Sequence, residues 1–192
     1  MNNSKKMQNA VRTILNEIGE DPEREGLKAT PERVQRMCGE LFAGYHMDLE
    51  TVVHGAIFEE RCDNMVLIRN ISFYSMCEHH MLPFYGKIHV AYFPDGKIIG
   101  LSKIPRIIEM YARRLQVQER MTQQICDAIE TILHPKGIAV LTKGMHMCSI
   151  MRGVKKENAE LITTRFTGIF NDNKDLKEEF YTQLGSSALM DL

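Results

Sequence analysis

No apolar run in these 192 residues approaches the roughly 20 that a helix needs to cross a bilayer. The opening stretch, Met1 to Ala10, is polar and lacks the apolar centre of a secretory signal. An excess of one charge is missing too: 24 Lys and Arg stand against 25 Asp and Glu, a formal net charge of -1. That balance argues against nucleic acid or an anionic membrane as the main partner, because both draw on a basic excess. It leaves room for a local basic pocket that takes a small anion. Neither G-x-x-x-x-G-K-[ST] nor G-x-G-x-x-G occurs, so any bound nucleotide is held by something other than a P-loop or a dinucleotide fold. Internal repeats and low-complexity segments are absent as well. The expectation is a soluble, cytoplasmic chain. Five cysteines (Cys38, Cys62, Cys77, Cys126 and Cys148) are an odd number, which favours free thiols or metal ligands over a disulfide framework.

What is present is ordinary globular material, 44% hydrophobic and 26% charged, enough for one domain with a small helical extension. Met7, Val11, Ile14, Leu15 and Ile18 recur at helical spacing. Thr30-Pro31 reads as an N-cap and first helical residue, opening a second helix with Val34, Met37, Cys38, Leu41 and Phe42 on one face. Near residue 65 the period changes. Val66, Ile68, Ile71 and Phe73 predict a strand with an irregularity near Asn70, and Lys87 to Phe93 predicts another. Pro94-Asp95-Gly96 is a turn signal, and the return through Lys97 to Gly100 completes an expected hairpin. Ser102 is placed as the N-cap of a helix carrying Ile104, Ile107, Ile108, Tyr111 and Leu115, with Pro105 in its first turn. A further apolar face runs from Met121 to Leu133. Strands are expected over Gly137 to Met151 and Glu160 to Phe170, then a polar helix from Lys174 to Leu184 and a loose tail. This order implies an α+β domain over 65–192, an antiparallel sheet with helices on one face, preceded by N-terminal helices over 1–64.

Cys77-Glu78-His79-His80 is the densest cluster of ligand-type side chains in the chain. A thiolate and an imidazole three residues apart suit tetrahedral zinc. His146 and Cys148 supply a second pair, expected to alternate along a strand and point to one face. The C-x-x-H spacing is weak alone, since a cysteine near histidines is often a small buried hydrophobe. The two pairs together favour metal binding, and for the other three cysteines the bland reading stands. Ser102, Lys103 and Arg106 gather at a helix N-terminus, where free N–H groups and the helix dipole attract an anion. Arg152 is a candidate phosphate clamp. A solvated charged helix start explains each of these residues equally well. Gln116-Val117-Gln118-Glu119-Arg120 offers a carboxylate that could accept from N1–H and the 2-amino group of guanine, although exposed Gln and Glu are everyday helix surface.

Taken together, Ser75-Met76-Cys77-Glu78-His79-His80-Met81-Leu82-Pro83-Phe84, Gly100-Leu101-Ser102-Lys103-Ile104, Gln116-Val117-Gln118-Glu119-Arg120 and His146-Met147-Cys148 resemble the signature stretches of GTP cyclohydrolase I. The resemblance covers about Gly19 to Leu184, in the family's order. It implies a tunnelling fold (T-fold) whose subunits join their sheets in a ring, usually a decamer, with active sites between subunits. It implies Zn2+ held by Cys77, His80 and Cys148 with the fourth position open. The carbon attacked would be C8 of guanine. His146 would protonate the neighbouring ring nitrogen and His79 would assist proton transfer beside the ribose. Ser102 would help open the ribose. Glu119, helped by Gln118, would read the base, and Lys103, Arg106 and Arg152 would hold the triphosphate, joined by Arg33 from an adjacent subunit. Formate would leave, and 7,8-dihydroneopterin triphosphate would form, the first step of tetrahydrofolate (pterin) biosynthesis.

Two competitors remain at this point. A related T-fold enzyme acting on another pterin or deazapurine would use a histidine-only zinc triad or a catalytic cysteine. A non-catalytic zinc-stabilised module would need none of His79, Ser102 and His146.

Overall fold

The computed structural model describes residues 2–188, with burial defined over 5–185. Its chain divides into two compact units, with the boundary between Ala43 and Gly44. The first holds α1 (Asn2–Glu17) packed on α2 (Thr30–Leu41). Both helices follow the apolar spacing, and Pro31 falls in the first turn, where its missing N–H costs nothing. The cap is one residue earlier than expected: Ala29 takes the N-cap position, with no side-chain bond, and Thr30 is already helical.

A 3-10 turn (Ala43–His46) spans the boundary, and α3 (Leu49–Val53) is the first α-helix of the second unit. Strands and helices then follow as β1 (Ile57–Glu59), β2 (Val66–Cys77), β3 (Pro83–Phe93), β4 (Lys97–Ile99), α4 (Lys103–Ala112), β5 (Leu115–Gln116) and α5 (Gln118–Leu133). The chain continues through β6 (Gly137–His146), α6 (Met147–Ile150), β7 (Glu160–Phe166), α7 (Ile169–Asp172) and α8 (Lys174–Ala188). The end of the tail expected after Leu184 lies outside the described residues. Five strands form one sheet in the order β5-β2-β3-β6-β7, antiparallel except where β5 runs parallel to β2. The fold is therefore a mixed α+β protein built on a mainly antiparallel sheet.

The irregularity expected near Asn70 is a β-bulge. Ladder register slips between Ile68 and Ile71, and Asn70 sits at φ 61°, a left-handed position that asparagine tolerates better than most residues. The hairpin expected across Pro94-Asp95-Gly96 does not form. β4 leaves β3 and pairs with β1 in a separate two-stranded sheet. The reason is occupancy: β3 already has β2 on one edge and β6 on the other, so no ladder is open to β4.

Alternation along β3 and β6 divides the side chains between two cores. Ile88, Val90, Tyr92, Ile138 and Val140 pack with Ile104, Ile107 and Ile108 of α4 and Met121, Ile125 and Ile129 of α5. Ala91, Ala139 and Leu141 face the other way, onto Phe170, Phe180 and Leu184 of α7 and α8. Helices thus cover part of both faces, which corrects the one-face expectation. The polar last helix brings enough apolar side chains, Leu176, Phe180 and Leu184, to seal the second face.

His89 lies fully buried on that second face, where its Nδ1 accepts the Asn70 backbone N–H at 3.3 Å. The proton is thereby left on Nε2, which has no hydrogen-bond partner among the described residues. Burial, and then the charges of Arg69, Lys143 and Lys87, push its pKa down from 6.5 to about 4. A depressed histidine binds its proton more readily when unfolded. Its contribution is complete above about pH 6.5 and is lost as the pH falls toward 4. The loss is at most on the order of 3 kcal/mol, at 1.36 kcal/mol per pKa unit. Urea unfolding of wild type and His89→Gln at pH 7 and pH 4.5 checks this. A variant that loses as much stability as the wild type over that interval would rule His89 out as the source.

Candidate active site

Cys77 is the last residue of β2, and the turn that follows returns at once into β3. The Cys77 N–H donates to the Leu82 carbonyl at 2.9 Å and the Met81 N–H to the Cys77 carbonyl at 2.8 Å, closing the loop that carries Glu78, His79 and His80. β6 ends beside this loop, since Phe84 pairs with both Ser75 and His146. There the chain leaves the sheet. Met147–Ile150 make one helical turn, α6, so His146 and Cys148 do not alternate along a strand as expected. The helical turn itself delivers Cys148 to Cys77. Ligand atoms of Cys77, His80 and Cys148 lie within 4.8 Å of one another, so the three could hold a metal ion.

The donor set suits zinc. Bonds of about 2.0–2.3 Å in a tetrahedron bring such ligands to roughly 3.5–4 Å of each other, a small closure from the spacing seen. The Cys148 thiol is held above its usual pKa, first by burial and then by Cys77 beside it. Two adjacent thiols resist carrying two negative charges, and a bound cation reverses that bias. All five cysteines are free. Cys126 is wholly buried and its thiol is pushed up to about 12, again mainly by burial, so it serves as core. Around the cluster, His79 Nδ1 lies 3.8 Å from Cys77 Sγ, and Arg152 meets His80 Nε2 at 3.0 Å.

A second group surrounds His146. Its ring stacks on Phe84, with centroids 4.6 Å apart and planes 5° from parallel. Its Nε2 lies 3.0 Å from Gln118 Oε1. The Gln118 amide nitrogen donates to the carbonyls of Thr142 (3.1 Å) and Leu161 (2.8 Å) and to Thr163 Oγ1 (3.2 Å). Backbone carbonyls only accept, so the carboxamide has one workable orientation and its oxygen must receive a proton from His146. His146 is therefore the Nε2–H tautomer, with Nδ1 left to exchange a proton. Burial lowers its pKa, and the Glu119 carboxylate offsets part of that shift. Gly144 makes the arrangement possible, because a Cβ there would run into Gln118 Oε1.

Gln118 is fully buried, its donors and its acceptor engaged inside the protein. The sequence placed it beside Glu119 as a base contact, with exposed helix surface as the alternative, yet one signal of burial was available. Gln118, Met121, Thr122 and Ile125 recur at helical spacing, and all four are buried on α5. Its neighbour Glu119 is exposed and lines a cavity of about 290 Å³ with Thr122, Gln123, Thr163, Thr164 and Arg165.

The anion candidates are less gathered. Ser102 occupies the N-cap position of α4 as expected, but its side chain caps nothing. Lys103 Nζ donates to the Val52 carbonyl at 3.1 Å, and Arg106 is exposed. Among the described residues, no hydrogen bond joins these three to the cysteine–histidine cluster. Arg33 is exposed on α2 in the first unit.

Fold and cluster together define an α+β protein with a cysteine–histidine cluster that could hold a metal ion, beside a tautomer-fixed histidine. Comparison with known proteins narrows the class. The family model for GTP cyclohydrolase I matches residues 7–185. GTP cyclohydrolase 1 of Chlorobaculum tepidum is 54% identical over 180 residues, 94% of this chain and 80% of that protein. GTP cyclohydrolase 1 of Leptospira biflexa is 53% identical over 174 residues, 91% and 95% of the two chains. The solved apo structure of the archaeosine synthase QueF-Like covers 56% of this chain and 97% of its own, with TM-score 0.46 and 14% identity. The chain belongs to the GTP cyclohydrolase I family.

Proposed function

We propose that the chain hydrolyses GTP, opening the guanine ring at C8, releasing formate and yielding 7,8-dihydroneopterin triphosphate for tetrahydrofolate synthesis. The observation that carries this reading is the convergence of Cys77, His80 and Cys148 beside the half-buried His146. Those three residues are the proposed zinc ligands. Zinc bound there supplies Lewis acidity and makes water a usable nucleophile near neutral pH.

The protein's own groups do the rest. His146, with Nε2–H held by Gln118, presents Nδ1 to the imidazole ring of guanine, where it takes a proton from solvent and passes it on to the ring nitrogen. His79, exposed at the rim of the cluster, moves protons beside the ribose, with Ser102 assisting its opening. Lys103, Arg106, Arg152 and Arg33 meet the triphosphate, Lys103 exchanging the Val52 carbonyl for phosphate oxygen. Gln118 acts on His146 rather than on the base. The ring-shaped T-fold oligomer, a decamer with active sites between subunits, belongs to the same proposal. It is supported by the outer edge of β7, where Leu161 and Ile162 are 36% and 47% exposed and a neighbouring sheet can extend the ladder. The catalytic machinery is assigned to residues 65–192, with Arg33 of 1–64 reaching in from an adjacent subunit.

Incubating the zinc-loaded protein with GTP tests the reaction. Formate and a pterin that fluoresces after oxidation are the expected products, and their absence from folded, zinc-containing protein would overturn the assignment. Base selection provides a separate check. If Glu119 accepts from N1–H and the 2-amino group, ATP should be rejected and ITP should bind between ATP and GTP. Leaving that carboxylate unpaired costs about 1–3 kcal/mol or more. Glu119→Gln should weaken GTP and narrow its advantage over ITP. Equal discrimination in variant and wild type, measured at fixed salt, would place base reading elsewhere.

A further inference from the structure

We propose that Arg120 and Glu78 form a positioning pair that locks the ligand-bearing turn to the start of α5. The proposal rests on the reading that Cys77, His80 and Cys148 hold zinc. Glu78 lies between the ligand Cys77 and the two histidines, and the Arg120 guanidinium binds its carboxylate. The same residue is also held by its backbone, since the Glu78 N–H donates to the Gln116 carbonyl at 3.0 Å. Gln116 is in turn fixed. Its amide nitrogen donates to the Tyr111 carbonyl at 3.0 Å and to Gln124 Oε1 at 2.8 Å, so its oxygen faces Arg120 Nε and accepts at 3.1 Å. Cys77 and Gln116 are register partners in the parallel β2–β5 pair, so the brace begins at a proposed ligand.

The second oxygen of Glu78 faces His79 Nε2 at 4.0 Å. One carboxylate thus touches α5 on one side and a proposed proton-transfer residue on the other. Helix geometry explains why a single element can do this. Consecutive residues project about 100° apart. Gln118 points into the sheet at His146, Glu119 points outward and Arg120 reaches the turn. The first turn of α5 aligns the histidine and the ligand turn in one rigid frame.

A fold-stabilising role is the competing account, and exposure argues against it. The Arg120 and Glu78 side chains are 43% and 33% exposed, and ion pairs that open to solvent add little to stability. Their effect belongs instead with groups around a metal site that orient its ligands.

Arg120→Gln, Glu78→Gln, the double variant and Arg120→Lys decide the matter. Three readouts are needed: zinc affinity by competition with a chromophoric chelator, kcat and KM for GTP, and thermal unfolding. Each single Gln variant should weaken zinc binding or lower kcat by about 10- to 100-fold, the usual effect of losing such a partner. KM should stay within about threefold, because the pair touches no substrate. The double variant should be no worse than either single, as expected for residues acting as one unit. Arg120→Lys should recover part of the loss. In Arg120→Ala, added guanidinium should restore activity by entering the cavity of about 370 Å³ that Glu78, Arg114, Gln116 and Gln124 line. Zinc affinity and kcat both within about twofold of wild type would overturn the proposal. Additive losses, or a rise in KM alone, would overturn it too, the latter making Arg120 a substrate contact. If wild type converts no GTP, the zinc titrations still decide. If Arg120→Gln fails to fold, Glu78→Gln does.

Discussion

Replacing Cys148 with serine is expected to abolish zinc retention and GTP turnover together. The substitution is nearly isosteric on a half-buried side chain of α6, so the fold should survive it. What it removes is a soft donor: an alcohol is a poor ligand compared with a thiolate. Changes among groups that merely orient ligands typically cost about 10- to 100-fold in metal affinity or activity, and losing a ligand should cost more. Metal analysis after dialysis, with circular dichroism as the control for folding, is the measurement. A folded variant that keeps stoichiometric zinc and turns over GTP normally would remove Cys148 from the centre.

Replacing His146 with alanine should leave zinc bound while turnover falls roughly 100- to 10,000-fold, the usual loss for a positioned acid–base group. Metal and chemistry separate here because no ligand atom belongs to His146 in the proposed set. The fixed tautomer sharpens the test. Gln118→Glu keeps the side-chain size but sets a carboxylate against the carbonyls of Thr142 and Leu161, both of which need a donor. It should approach the His146→Ala rate while also losing stability. Single-turnover kinetics with GTP, alongside zinc analysis, reads both variants. Unchanged turnover in folded His146→Ala protein would refute its role.

Much of the fold was legible because it is local. The change of period near residue 65, the bulge at Asn70 and the faces of α4 and α5 all follow from spacing within a few residues. Partner choice is not local. Pro94-Asp95-Gly96 is a true turn signal, yet it cannot reveal that both edges of β3 are taken by strands distant in sequence. The two-residue β5 is too short to leave any periodic trace. At the site, the ligand types were readable because cysteine and histidine are scarce enough to stand out. The brace was not. Glu78, Gln116 and Arg120 are common surface residues, and only their hydrogen bonds set them apart. Cys148 reaches the cluster by a route the sequence did not suggest, since a helical turn delivers it where a strand was expected.

The route that brings Cys148 to Cys77 also bears on how the chain holds together. Cys77 and His80 flank one tight turn, whereas Cys148 arrives after two helices and four strands, β3 to β6, have intervened. An ion shared among them is a cross-link, closing a large loop much as a disulfide would but reversibly. Free metal concentration would then set the melting temperature by mass action, and a chelator should loosen the ends of β2, β3 and β6 before it reaches the core. For this chain, metal supply would govern how long the protein persists as well as how fast it works.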